Sequence, residues 1–386
     1  MIALHRFTGA LLWESEIADY RQSYFATSAP LVAGSLVVSG VSGGDEGASG
    51  VVVAFDSVTG KQAWRIHTVP QPGEPGSETW KGSAWEHGGA PTWMTGSYDP
   101  KSDTVFWPTG NPGPDYNGDE RQGDNLFSDS VLALDAKTGK LKWYFQFTPH
   151  DLWDWDATET LLLVDATWMG KPRELVLQAN RNGFFYVLDH STGELLLAKP
   201  FIKKLTWARG IRPNGRPILN PNQEPTETGA RVCPSQSGAT NWYSPSYDPV
   251  SGLLFVQTSD NCTVYKKTGT EPWAFGKGYL SGSQQSDPKG SRILKAIDIQ
   301  TGLVRWQRPQ PGPGRSWGGT LATAAGLVIF GSESGELEAA DSSSGKRMWG
   351  FQTNRIWRAS PMTYSFDKAQ YIAVTAGPDI LVFALP

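Results

Sequence analysis

The 386-residue chain is poor in the side chains that most often hold transition metals, with two cysteines and five histidines. His5, His67, His87, His150 and His190 show no H-x-x-x-H or paired spacing, which points away from a zinc site. No Cys-x-x-Cys-His occurs, so no fused haem domain is expected. No apolar run is long enough to span a bilayer. The opening residues MIALHRFTGALLWE lack the basic start, apolar core and small-residue cleavage site of a signal peptide. An export signal, if there is one, is expected upstream of Met1. Neither charge sign dominates: 34 Lys and Arg face 38 Asp and Glu, a net charge of −4. That balance gives no basis for binding nucleic acid or an acidic membrane.

What is abundant is glycine (43), proline (27) and tryptophan (17), a composition suited to many short strands joined by tight turns. Six near-copies of the phrase Ala-x-Asp-x-x-Thr-Gly-x-x-x-Trp begin at residues 3, 54, 133, 187, 296 and 339. In the phrase, Asp caps a tight turn, Gly takes the positive φ, and Trp lies on the next strand. A turn and an anchor recurring at such intervals predict an all-β propeller of four-stranded blades. The double-length gap after 187 contains Ser246–Gly252 (SYDPVSG), read as a worn seventh copy. The first copy starts almost at Met1, before a blade could have built its earlier strands. Residues 1–386 are therefore expected to form one propeller domain, the C-terminal majority of a longer protein. An open edge is expected near residues 1–30.

Cys233 and Cys262 flank a predicted strand pair that could bring them together; two buried free thiols are the alternative. Four segments stand out from ordinary strands and turns. Val41–Gly50 is glycine-rich, either a close approach to a ligand or a flexible hairpin tip. Gly88–Pro100 and Phe106–Asn117 place Trp93 among small residues and Asn111 in a turn. Trp93 is either a flat face for a planar ligand or core, and Asn111 either a metal ligand or a turn former. Thr148–Glu159 packs Asp151, Asp154, Asp156 and Glu159 around Trp153 and Trp155. Asp154 and Asp156 would share one side of an extended stretch and repel unless a cation lies between them; a solvated acidic loop is the alternative. Arg181, between Asn180 and Asn182, suits an acid or ligand oxygen, or else a surface salt bridge.

TGNPGPDYN, RQGDNLFSDSVLALD, FTPHDLWDWDATE and QANRNGFFYVLD, together with the repeated phrase, resemble the pyrroloquinoline-quinone (PQQ) dependent alcohol dehydrogenases, which include methanol dehydrogenase. The resemblance runs from Ala3 to Pro386 and implies an eight-bladed propeller with quinone and metal in its central funnel. Carried over residue by residue, it implies Trp93 as the floor under PQQ. Thr27, Ser42, Gly43 and Gly44 would hold its carboxylates, and Asn241 and Trp317 would make further contacts. Arg181 would bond the quinone oxygens, and Asp154 would be the catalytic base. Asp45, Asn111, Asp154 and Asp156 would ligate one metal ion, lanthanide or Ca2+. Cys233 and Cys262 match a disulfide of that family.

Three departures accompany the resemblance. Asp45 stands where the family has a metal-binding glutamate, and strand alternation is expected to turn Glu46 away. The family's adjacent Cys–Cys pair is absent, as is any haem motif. Asp156 matches the extra carboxylate of lanthanide-dependent members, where added negative charge balances a trivalent ion. The resemblance implies oxidation of a primary alcohol or related substrate, with electrons passed to a separate cytochrome c or other acceptor, in the periplasm. The rival expectation is a non-catalytic propeller scaffold or an inactive fragment.

Overall fold

A computed structural model describes residues 1–384, apart from 271, 289 and 313–315. Successive antiparallel meanders form five four-stranded sheets. They are Leu31–Ala33 to Gln62–His67, Ser97–Asp99 to Leu141–Gln146, Leu162–Trp168 to Leu195–Pro200, Ser246–Asp248 to Val304–Gln310, and Thr320–Thr323 to Arg347–Gln352. A two-stranded sheet, Ile2–Leu4 with Leu11–Glu14, precedes them, and a three-stranded sheet from Met362–Phe366 to Asp379–Ala384 follows. Among the described residues no ladder joins these two end sheets. The third strand of each full blade is buried along almost its whole length, as in Val51–Asp56 and Phe184–Asp189, because it packs on blades to either side.

The repeated phrase does what its residues allow. Asp56 Oδ1 accepts from the backbone N–H of Val58 and Thr59 and from the Thr59 hydroxyl, closing the turn between third and fourth strands. Gly60, Gly139, Gly193 and Gly345 follow at φ of 70–73°. The same glycines are covered by the preceding blade. A Cβ at any of them would lie 2.5–2.7 Å from an indole carbon of Trp13, Trp64, Trp143 or Trp306 respectively. Those indole N–H groups donate at 2.9–3.1 Å to the carbonyls of Ser57, Ala136, His190 and Ser342. The turn glycine is thus required twice, for its backbone angle and for the ring lying on it. Where the phrase has Leu197 in place of Trp, Leu197 and Lys199 cover Gly302 instead.

Ser246–Gly252 is a different turn. It joins the first and second strands of its blade, and that blade's docking phrase is the copy ending at Trp306. The double-length gap is filled by insertions: a two-stranded sheet, Ala208–Ile211 with Pro217–Leu219, and a three-stranded sheet of Ala230–Val232, Thr263–Lys267 and Gly282–Ser286. Cys233 and Cys262 are disulfide-bonded, with Cα atoms 4.4 Å apart. They adjoin the ends of the paired strands Ala230–Val232 and Thr263–Lys267.

In a four-stranded meander, the turns after the first and third strands lie at one end. The turns after the second and fourth lie at the other. The docking turns occupy the first end. Val41–Gly50, Thr109–Asp129, Phe147–Leu161, Asn180–Gly183 and the segment carrying Ser235–Asn241 all follow second or fourth strands. The unusual segments are therefore gathered at one mouth of the propeller, away from the turns that lock the blades.

Candidate functional site

At that mouth lies a cavity of about 480 Å³, in the range of small-molecule sites. Its wall includes Thr27, Ser42, Gly43, Gly44, Asp45, Trp93, Asp154, Asp156, Arg181, Asn241 and Trp317. Of the expected site residues, only Asn111 is not in the wall.

The glycine-rich loop is shaped by close packing. A Cβ at Gly43 would fall 1.9 Å from Ser23 O, and one at Gly44 2.6 Å from Pro91 Cγ. Gly43 sits at φ 113°, and Gly44–Glu46 form a 3-10 turn, not a strand. Strand alternation therefore does not apply, and Glu46 lines the cavity together with Asp45. The loop is pinned from outside by Tyr279 N–H to Asp45 O at 2.6 Å and Trp273 Nε1–H to Glu46 O at 2.7 Å.

Trp93 is fixed at both ends of its residue. Its indole N–H donates to Asp156 Oδ1 at 3.0 Å, and its carbonyl accepts from the Thr27 hydroxyl at 3.0 Å. Asn241 braces its own loop, donating to Ser237 O at 2.8 Å and accepting from Trp242 N–H at 2.9 Å. Trp317 stacks on Trp242 with centroids 6.3 Å apart.

Asp154 and Asp156 differ sharply in their surroundings. Asp154 holds a left-handed φ of 59°, which a non-glycine residue adopts only under restraint. The restraint is visible: Arg181 donates to its carbonyl at 2.5 Å, and Gln236 Nε2 and the Tyr116 hydroxyl donate to Oδ2 at 2.5 and 3.4 Å. Asp156 has both oxygens occupied by N–H donors. Trp93 Nε1 and Asn111 N bind Oδ1, the latter at 3.2 Å, and Arg181 binds Oδ2. Gly110 makes room for this, since a Cβ there would lie 2.1 Å from Asp156 Oδ1.

The oxygens grouped tightly enough for one ion belong to Asp45, Asp115 and Asp154, all within 4.8 Å of one another. Asp115 was not among the expected ligands, although it lies within TGNPGPDYN; its four-residue spacing from Asn111 was the available signal. Gln236, Tyr116 and Gly110 were also missed, and nothing in their local sequence marks them. Burial is the main cause that raises the Asp115 carboxyl well above its usual range, followed by the charges of Asp45 and Asp154. Asp154 is raised well above it too, by burial, against the opposing charge of Arg181. Asp45 is open at the mouth yet closely surrounded, so its carboxyl is raised by desolvation and then by Asp156. Burial works against the charge on Arg181, but Asp156 and Asp154 more than offset it.

Several buried polar atoms here have no partner among the described residues: Ser42 Oγ, Asn111 Oδ1, Asp115 Oδ2 and Arg181 Nε. Such atoms are costly unless a ligand satisfies them. Unpartnered acceptors among carboxylates fit a hard cation. A free guanidinium N–H and a free hydroxyl beside a flat indole fit a planar, oxygen-rich molecule.

Residues 8–198 and 293–372 match the family model for the PQQ β-propeller domain of glucose, ethanol and alcohol dehydrogenases. The chain is 34% identical to the quinoprotein alcohol dehydrogenase PedH of Pseudomonas putida KT2440, over 98% of its own length and 67% of that protein's. It is 36% identical to the quinohemoprotein alcohol dehydrogenase ADH IIB of Pseudomonas putida, over 98% and 57%. Among solved structures, a europium-containing methanol dehydrogenase superposes with a TM-score of 0.89 at 32% identity, over 97% of this chain and 69% of that one. The chain spans 57–67% of the length of the two curated relatives.

Proposed function

The chain belongs to the PQQ-dependent alcohol dehydrogenase family, and we propose that it oxidises a primary alcohol or a related substrate at this mouth. The observation that carries the reading is the set of unpartnered buried polar atoms around a cavity walled by Trp93. PQQ, when bound, supplies the electrophilic carbon that accepts hydride, and a metal ion supplies positive charge beside it.

The chain's residues do the rest. Trp93, locked by Asp156 and Thr27, offers a flat face of fixed tilt. Ser42, Gly43 and Gly44 bring a hydroxyl and bare backbone against the cofactor's carboxylates, with Asn241 and Trp317 closing the far wall. Arg181 carries an unused Nε–H for an oxygen of the ring system. Asp154 takes the hydroxyl proton of the alcohol. Its Oδ2 is engaged by Gln236 and Tyr116, so Oδ1 is the accepting atom. Asp45, Asn111 and Asp154 would hold the metal, and Asp156 adds negative charge next to them. Added carboxylates favour a trivalent lanthanide over Ca2+, and a similar solved structure is named for europium. Electrons would leave to a separate cytochrome c or another acceptor. A periplasmic setting fits the family; among the described residues no helix is long and apolar enough to cross a membrane.

The test is reconstitution with PQQ and either La3+ or Ca2+, followed by alcohol-dependent dye reduction. Asp154→Asn should abolish turnover with both ions while PQQ still binds. Asp156→Ala should reduce La3+-supported turnover more than Ca2+-supported turnover. Reconstituted protein that binds PQQ but reduces no dye with any alcohol would sink the catalytic reading and leave a scaffold. Equal losses in Asp156→Ala would remove Asp156 from metal discrimination.

A further inference from the structure

We propose that Asp115 is an inner-sphere ligand of the cation, and that with Asp45 and Asp154 it sets the preference for a trivalent over a divalent ion. The proposal rests on the reading that this site holds a metal.

Two oxygens on one ion at about 2.4 Å each lie at most about 4.8 Å apart. The oxygens of Asp45, Asp115 and Asp154 meet that limit. Asp115 is 1% exposed, so water does not answer its charge. Its Oδ1 accepts from Asn111 Nδ2 at 3.0 Å, and its Oδ2 has no partner among the described residues. The same bond fixes the Asn111 amide so that Asn111 Oδ1 is also left without a partner. Two neighbouring buried acceptors with no donor between them are a place for a cation.

The carboxylate is held in position by its backbone. Arg121 is fully buried and clamps the loop, donating to Pro114 O at 3.1 and 3.0 Å and to Asp151 O at 2.6 Å. Tyr116 N–H donates to Leu280 O at 3.0 Å, while the adjacent Tyr279 N–H donates to Asp45 O at 2.6 Å. The 279–280 segment thus sets the spacing between the Asp45 and Asp115 loops.

Charge bookkeeping points to the ion's valence. Arg181 pairs directly with Asp156. Its guanidinium also lies 3.9 Å from Asp154 Oδ1, so one positive charge serves both acids. Arg121 spends its donors on main-chain carbonyls and on Asn125 Oδ1, with none reaching the Asp115 carboxylate. The four carboxylates of Asp45, Asp115, Asp154 and Asp156 against the one Arg181 guanidinium leave three negative charges, which a trivalent ion neutralises.

The experiment uses the intact chain with PQQ and europium(III), whose luminescence lifetimes in H2O and D2O count the waters on the ion. Asp115→Ala should add about one or two inner-sphere waters. It should weaken europium binding about ten- to a hundredfold, with a smaller loss for calcium. Asp115→Asn, which keeps the shape, should shrink the europium-to-calcium affinity ratio. Wild-type binding of europium with the water count and affinity ratio unchanged in both variants would overturn this proposal alone. Failure of the wild type to bind europium would overturn the metal reading with it.

Discussion

The docking phrase gives the sharpest stability prediction, because one motif recurs in different surroundings. Trp64 is 6% exposed, and its indole N–H reaches Ala136 O in the next blade. Trp349 occupies the equivalent place but is 43% exposed. Its ring meets Phe351 and Phe383, and its N–H makes no hydrogen bond among the described residues. Truncating a buried Trp to Ala costs about 3–5 kcal/mol. Of this, roughly 1 kcal/mol belongs to the hydrogen bond. Trp349 buries 57% of its surface against 94% for Trp64, a ratio of about 0.6. Trp349→Ala should therefore cost only about 1–2.5 kcal/mol. Trp64→Phe keeps most of the covering face but orphans the Ala136 carbonyl, for about 1–3 kcal/mol. Urea unfolding followed by far-UV circular dichroism measures all three. Equal losses for Trp64→Ala and Trp349→Ala, or none for Trp64→Phe, would show that the next blade's turn is not what the ring stabilises.

Replacing Cys233 and Cys262 together by Ser opens a loop with a sequence separation of 29, and the chain-entropy relation puts the loss at about 3–4 kcal/mol; a denaturation midpoint equal to that of oxidised wild type would refute it. His150 is pushed down to about 4, by burial and then by the charge of Arg121. It stays neutral in the fold but protonates on unfolding below its ordinary value, so stability should fall as pH drops from about 6.5 to about 4, by up to roughly 3 kcal/mol. His150→Asn, which tolerates the native φ of 54°, should lose less of its midpoint across that interval, and identical pH profiles would remove His150 as the cause.

Much of this was legible in the sequence because the docking turn is a local device. Asp56 to Thr59 closes within four residues, and Gly60 and Trp64 follow at fixed offsets, so the blade interface is written in one phrase. Ser246–Gly252 misled because any strand-to-strand turn uses Asp, Ser and Gly for the same bonds; only its partner strands show which turn it is. Trp93, Asp154 and Arg181 stood out for their unusual neighbours. Asp115, Gln236 and Tyr116 did not, since their roles depend on contacts across the chain. Gln236 meets Asp154 from 82 positions away, and no spacing rule reaches that far. Glu46 was turned away on strand periodicity, but three glycines around it let the chain form a tight 3-10 turn instead.

The two ends of the blades explain why chemistry and stability separate so cleanly along this chain. The docking turns must stay short, because Trp13, Trp64, Trp143 and Trp306 lie on Gly60, Gly139, Gly193 and Gly345, and an inserted residue would lift the rings off. The loops after second and fourth strands carry no such lid. They are free to lengthen, and they do: Thr109–Asp129 and Phe147–Leu161 are the segments that hold Asn111, Asp115, Asp154 and Asp156. Acids buried in those loops, and the left-handed Asp154, work against folding locally. The interlocked tryptophan end supplies the compensating stability without sharing a residue with the site. A lesion in a docking turn should therefore loosen blades broadly, while a change among the grouped aspartates acts on the ion and its ligands and leaves the blades in place.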